Sequence, residues 1–332
     1  MNLATLNNGR PDGQLVVLSR NRARYVSAGR VAPTLQAALD DWDTAVPALS
    51  ALAAQLDAGQ ISGQPFDVKR ALAPLPRAYQ WIDGAAYLNH AERVRTLKGT
   101  RDADVANRPV LYQGASDTLS APTAPIITPE PDLALDFEAE VAVIIGAVPM
   151  RATLEQAAAA IRLVTICNDV SMRRLVANDL QNGFGYFHAK PATAFAPIVT
   201  TPAALGAAWR DNRLHLPVRC EVNGTLFGQP NAGSDMYFDF AALIVEAART
   251  RALAAGTIIG GGTISVPHEE SLPIKPAGIG FACIVEARNV EKLKYGRART
   301  PFLQPGDTIR IGAIGSDGQS IFGDIAQTVV LF

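Results

Sequence analysis

Leu135-Asp136-Phe137-Glu138-Ala139-Glu140-Val141-Ala142-Val143-Ile144-Ile145 is short, rich in β-branched residues and bounded by Pro131 and Gly146, so it reads as a β-strand over 136–145. Side chains alternate faces along a strand. Phe137, Ala139, Val141, Val143 and Ile145 therefore share one face, and Glu138, Glu140, Ala142 and Ile144 share the other. The second face turns apolar beyond the glutamates, so it is not a solvated face. Two carboxylates about 7 Å apart on such a face repel one another unless a cation or protons hold them. A hard divalent cation, which takes several oxygen ligands, accounts for them most simply.

Outward from this run the chain carries many short β segments and few helices. Strands are predicted over 109–112, 161–168, 195–200, 216–223, 257–266, 281–287, 307–314 and 325–331, and helices over 153–161, 171–180 and 238–253. Residues 13–33 read as a β-hairpin, and 34–56 as a helix broken or kinked at Pro47. Closing prolines at Pro74 and Pro76 place a boundary near residue 72, dividing a small N-terminal α+β domain (1–72) from a larger domain (73–332). Strands and helices do not alternate regularly, so a doubly wound sheet is excluded in favour of a mainly-β α+β fold, a mixed β-roll or sandwich.

Composition bounds the function classes. With 332 residues, 48% hydrophobic and 18% charged, the chain can bury a sizeable core. A formal net charge of −1 without any basic block argues against nucleic acid or an anionic membrane as partner. No apolar run is long enough to cross a membrane, and the N-terminus lacks the pattern of a signal peptide. Cys167, Cys220 and Cys283 are odd in number and far apart, as expected of reduced thiols in a cytoplasmic protein. Cys167 could serve as a nucleophile, but it has no base partner in sequence and reads as core.

Other residues could carry chemistry, each beside a plainer reading. Asp169 lies between an apolar strand and a helix start, the place of a site carboxylate or of a helix cap. Asp83, in Trp81-Ile82-Asp83-Gly84, has the setting of a turn residue. His90, one of four histidines with His188, His215 and His268, suits general-base work near neutral pH but could be structural. Lys190 stands in a segment poor in charge, either as a surface residue or as an ammonium for a developing oxyanion. Gly260-Gly261-Gly262-Thr263 lacks phosphate-loop spacing and suggests a backbone that must approach a ligand or metal closely.

In order and spacing these segments resemble the fumarylacetoacetate hydrolase family. The likeness rests on Asp83 with His90 seven residues on, Tyr112-Gln113-Gly114, Asp136-Phe137-Glu138-Ala139-Glu140, Asn168-Asp169-Val170-Ser171-Met172-Arg173, Lys190-Pro191-Ala192-Thr193, Gly262-Thr263-Ile264-Ser265 and Pro305-Gly306-Asp307. It runs from Tyr79 to Phe332, roughly three quarters of the chain. The resemblance implies a mixed β-roll catalytic domain, a homodimer, and Mg²⁺ (or Mn²⁺ or Ca²⁺) held by Asp83, Glu138, Glu140 and Asp169. It implies His90 as the base that activates water, and Arg173, Lys190, Tyr112, Thr263 and Gly262 around a small diketo acid. A Glu that orients the base is implied on a later strand; Glu286 stands near that place, with Glu269 and Glu270 as rivals. Ala85 replaces an aromatic of the fumarylacetoacetases, so the substrate pocket differs.

The expected activity is hydrolysis of a carbon–carbon bond in a β-diketo acid, first among them fumarylacetoacetate, a step of tyrosine and other aromatic catabolism. Acylpyruvate hydrolysis, oxaloacetate decarboxylation and hydration of a 2-oxo-alkenoate are alternatives on the same scaffold. A non-catalytic small-molecule-binding protein and a metal-free structural β protein are the alternatives outside it.

Overall fold

The computed structural model describes residues 1–90, 107–181, 183, 185–267 and 278–332. The chain begins with β1 (Asn2–Leu6), β2 (Gln14–Leu18), β3 (Arg24–Ser27), α1 (Leu35–Asp40), α2 (Trp42–Asp57) and β4 (Gln64–Pro65). It continues through β5 (Trp81–Gly84), β6 (Leu111–Gly114), β7 (Ile126–Thr128), β8 (Leu135–Asp136), β9 (Ala139–Ile145), α3 (Leu154–Ala160), β10 (Ile161–Asn168), β11 (Ser171–Met172) and α4 (Arg173–Gln181). Then come β12 (Ala194–Phe195), β13 (Ile198–Thr200), α5 (Pro202–Leu205), a small ribbon β14 (Trp209–Arg210) and β15 (Arg213–Leu214), β16 (Val218–Val222) and β17 (Thr225–Gly228). The last elements are α6 (Phe240–Ala247), β18 (Ile258–Gly260), α7 (Ile284–Tyr295), β19 (Thr308–Ala313) and β20 (Ile325–Leu331).

The fold is α+β and mainly β, as the sequence indicates. One large sheet runs β4-β3-β2-β1-β13-β10-β9-β18-β5-β6, with β12 paired to β10; a second runs β17-β16-β19-β20-β7. Pairing is mostly antiparallel, but β18 runs parallel to β5 and β20 parallel to β7. The N-terminal strands are continuous with the rest, because β1 pairs with β13 through Leu3 and Val199.

The alternation read from 136–145 decides the layers. Phe137, Ala139, Val141, Val143 and Ile145 share a core with Val218, Ile309, Ile311 and Ile325 of the second sheet and Leu243 of α6. Ala142 and Ile144 pack into another core with Trp81, Phe195 and the α1–α2 residues Leu35, Leu39, Trp42 and Leu49. The large sheet is thus covered on one face by the second sheet and helices, and on the other by α1 and α2. Burying both faces explains a strand that is apolar on both sides.

Several expectations are corrected. The strand over 136–145 is interrupted at Phe137–Glu138, so β8 pairs with β11 while β9 enters the large sheet. Trp81–Gly84 is a strand rather than a turn, because Trp81, Ile82 and Asp83 pair with both β18 and β6. Only Ile258–Gly260 of the stretch 257–266 is strand; the glycines that follow leave the sheet. Helix α2 runs through Pro47, and the interruption falls at Asp41 instead. The stretch 281–287 is no strand: Cys283 is an N-cap and Ile284 onward is the start of α7. The carboxylate of Asp136, remote in sequence, accepts from the Ile284 and Val285 amides and caps that helix.

Candidate active site

The site lies where the C-terminal ends of β5, β10 and β18 meet the N-terminal end of β9. Asp83 is the penultimate residue of β5, Asp169 follows β10, and Glu140 is the second residue of β9, opposite Cys167. Sheet register therefore brings together carboxylates that are far apart in sequence. Asp83, Glu140 and Asp169 are buried, and each offers an oxygen within 4.8 Å of the others. The glycine loop closes over them. Gly262, at φ +78°, donates its amide to Asp83 Oδ1 at 3.0 Å. A Cβ on Gly260 would lie 2.4 Å from that same Oδ1, and one on Gly262 would lie 2.3 Å from the Gly84 carbonyl.

These three acids fit a hard cation. Both carboxylate oxygens of Glu140 are buried without a hydrogen-bond partner among the described residues. Burial and the Asp169 charge push the Asp83 carboxyl up to about 7. Burial, then Asp83, Asp169 and Glu138, hold the Glu140 carboxyl well above its ordinary value. Carboxylates that resist ionisation together in this way are offering a place to positive charge, and all-oxygen donors suit Mg²⁺, Mn²⁺ or Ca²⁺.

Glu138 is placed differently. Its Oε1 accepts from Arg173 Nη2 at 2.5 Å, and its Oε2 accepts from the Lys190 ammonium. Against its burial, those two cations hold its carboxyl well below the usual range. Lys190 also donates to Asp169 Oδ2 at 2.5 Å, bridging the two acids, and the pair keeps it protonated against burial. Asp169 is completed by Thr193 Oγ1 at 2.6 Å and by the Tyr112 hydroxyl. The Tyr112 ring lies 5.5 Å from Lys190 Nζ and meets Tyr186 edge-on at 5.1 Å. The structure thus gathers three of the four expected ligands and assigns Glu138 to an ion-pair network.

His90 faces the same cavity, whose lining also includes Tyr112, Arg173, Lys190, Gly262 and Thr263. The volume is about 230 Å³. His90 Nδ1 lies 2.8 Å from Glu286 Oε1, and Glu286 is buried. A carboxylate can only accept, so Nδ1 carries the proton and Nε2 the lone pair. Glu286 comes from the first turn of α7, not from a strand. Glu269, Glu270 and His268 lie outside the described residues. His188 is instead exposed and paired with Asp179. Cys167 is a core residue paired with Glu140, and burial pushes its thiol up.

Asp136 is the residue the sequence reading left without a role. Its Oδ2 accepts from Arg173 Nε at 2.9 Å and Nη2 at 2.8 Å, while its two oxygens cap α7 at Ile284 (2.7 Å) and Val285 (3.0 Å). One buried carboxylate therefore ties the pocket's arginine to the helix that carries Glu286. Its alternation with Glu138 and Glu140 was the available signal, since all three fall on even positions of one extended run.

A family model described as fumarylacetoacetate (FAA) hydrolase C-terminal matches residues 80–330, and one described as fumarylacetoacetase N-terminal domain 2 matches residues 1–77. An uncharacterized protein of Archaeoglobus fulgidus is 28% identical over 235 residues, 71% of this chain and 82% of its own length. The oxaloacetate tautomerase YisK of Bacillus subtilis is 29% identical over 197 residues, 58% of this chain and 61% of its own length. The mitochondrial oxaloacetate tautomerase fahd2 of Xenopus laevis is 28% identical over 163 residues, 49% of this chain; the match spans half (50%) of that relative. Among solved structures, the fumarylacetoacetate hydrolase of Exiguobacterium antarcticum superposes with a TM-score of 0.65 at 21% identity, covering 100% of both chains. Maleylpyruvate hydrolase of Sphingobium sp. SYK-6, in complex with manganese(II) and pyruvate, gives 0.63 at 18% identity, covering 100% of this chain and 99% of that one. At such identities the structural likeness speaks for the fold.

Proposed function

The chain belongs to the fumarylacetoacetate hydrolase family, and from that premise we propose that it is a metal-dependent hydrolase of a carbon–carbon bond in a β-diketo acid, with fumarylacetoacetate as first choice. The observation that carries this reading is the pairing of His90 with buried Glu286 at 2.8 Å, His90 itself facing the cavity that Asp83 of the acidic cluster and Lys190 also line. A bare metal site suffices to polarise a dioxo acid; an oriented imidazole beside it adds the means to activate water.

Asp83, Glu140 and Asp169 would hold the cation, Mg²⁺ first and Mn²⁺ or Ca²⁺ as substitutes. When bound, it supplies Lewis acidity toward the oxygens of the dioxo acid. The protein's own groups do the rest. Glu286 fixes the His90 tautomer, and His90 Nε2 takes a proton from water as the oxygen attacks the carbonyl. Lys190 and Arg173 stand by to stabilise the oxyanion, and the imidazolium returns its proton to the departing carbon. Tyr112, Thr263 and Gly262 would border the substrate. We also propose a homodimer, to be checked by sedimentation.

A second reading is interconversion of the enol and keto forms of oxaloacetate, favoured by the two relatives named as tautomerases. It uses the same base and cation but breaks no carbon–carbon bond. The deciding experiment is a substrate panel of fumarylacetoacetate, acylpyruvates and oxaloacetate, with and without chelator. The absorbance of the diketone and the products are followed. Metal-dependent cleavage of a diketo acid supports hydrolysis; enol–keto exchange of oxaloacetate with every diketo acid intact would replace it with the second reading.

A further inference from the structure

We infer that His90, Cys283 and Glu286 form a second cation site, for a thiophilic divalent ion such as Zn²⁺, separate from the all-oxygen cluster. Each residue offers one ligand atom, and the three atoms lie within 4.8 Å of one another. The local sequence explains the convergence. Cys283 is the N-cap of α7 and Glu286 sits three residues on, so both rise from one helical turn. His90 arrives from beyond β5, with Nδ1 already 2.8 Å from Glu286 Oε1.

The two clusters differ in chemistry. Asp83, Glu140 and Asp169 present oxygen alone, the set for a hard cation. The second cluster presents one nitrogen, one sulfur and one oxygen. Three such protein ligands with a fourth position left to water or a small molecule is a zinc arrangement. Entry runs through the cavity that His90 lines, whereas Cys283 and Glu286 lie behind it, buried. Binding involves no redox change. The metal–sulfur bond forms as the thiol proton leaves to buffer, and the metal–nitrogen bond forms at Nδ1 as its proton moves by way of solvent to Nε2, freeing the Nδ1 lone pair. Burial, together with Asp136 and Glu286, holds the thiol protonated until a cation displaces that proton.

A consequence rests on the functional reading above. If His90 is the base, a cation on either ring nitrogen removes the lone pair it works with, so zinc inhibits a magnesium-loaded enzyme.

The test has a binding arm and an activity arm, both in saturating MgCl₂. In the first, CoCl₂ is titrated as a spectroscopic probe. A thiolate-to-cobalt charge-transfer band in the near ultraviolet is expected for the native protein and absent in Cys283→Ser and Cys283→Ala. In the second, ZnCl₂ lowers turnover of the native protein. Either variant keeps its zinc-free turnover but needs roughly 10–100-fold more zinc for the same inhibition. No band in the native protein, or a band that persists in the Cys283 variants, overturns the site. Zinc inhibiting native protein and variants alike does the same. A Cys283-dependent band with full turnover supports the site and refutes His90 as the base, which separates the two ideas.

Discussion

Replacing Asp83 with Asn should stabilise the metal-free protein while abolishing its response to metal. Asn keeps Oδ1 as the acceptor for the Gly262 amide, now 3.0 Å away, so the loop contact survives. What changes is the charge. The Asp83 carboxyl titrates at about 7 in the fold against 3.8 as an ordinary side chain, raised by burial and by Asp169. Below pH 4 the acid is protonated whether folded or unfolded and costs nothing. As pH rises from about 4 to 7, the folded state keeps a proton that the unfolded state has released, and stability falls. Above 7 the loss is complete, at about 4 kcal/mol from 1.36 kcal/mol per pKa unit. For 332 residues the unfolding entropy is roughly 0.7 kcal/mol per kelvin, so the difference is about 6 °C in Tm. Thermal unfolding in EDTA should show Asp83→Asn matching the native protein at pH 4 and exceeding it by up to that amount at pH 8. In Mg²⁺ at 100 times its Kd the native protein should gain about 2.7 kcal/mol by mass action, and the variant little. A variant less stable than native in EDTA at pH 8, or one that keeps the full magnesium shift, would refute the reasoning.

Three further outcomes follow from the same geometry. His90→Asn should lower turnover about 10²–10⁴-fold while the magnesium-induced rise in Tm stays at its native size; an unchanged rate would reject the base. Asp136→Asn removes one of the two buried carboxylates that face the Arg173 guanidinium, leaving Glu138, and weakens the α7 cap, and should cost about 2–3 kcal/mol in urea unfolding; a loss below about 1 kcal/mol would show that Arg173 and α7 do not depend on it. Gly262→Ala must hold φ +78° and would set a Cβ 2.3 Å from the Gly84 carbonyl. It should be destabilised by at least ~1–2 kcal/mol and bind Mg²⁺ more weakly by calorimetry; native magnesium affinity would count against the loop's role in holding Asp83.

Much of the site was legible because strand alternation is so regular. From it the glutamates of 138–140 could be read as a pair of acids on one face, and both are buried among charged partners or other carboxylates. The N-terminal end of α7 was not legible, because Phe281-Ala282-Cys283-Ile284-Val285 is apolar and β-branched enough to pass for a strand. The group that turns it into a helix is Asp136, well over a hundred residues earlier. Asp83 was misjudged for a related reason. Trp81-Ile82-Asp83-Gly84 is too short to show a period, and its strand character comes from Ile258–Gly260 and Leu111–Gly114 on either side. Glu138 looked equivalent to Glu140 by spacing alone. Lys190 and Arg173, brought in from other elements, distinguish the ion-paired Glu138 from Glu140, which lies among Asp83 and Asp169.

The pairing of β1 with β13 has a bearing on how the chain could be shortened. Residues 1–77 coincide with a family domain of their own, yet Leu3 and Ala4 complete the backbone hydrogen bonding of Val199 and Ile198. A truncated chain starting beyond them would present that buried, apolar strand as an open rim, an invitation to self-association. The leading segment thus acts as a seal on the catalytic sheet, and any attempt to graft, swap or trim it has to supply another strand in its place.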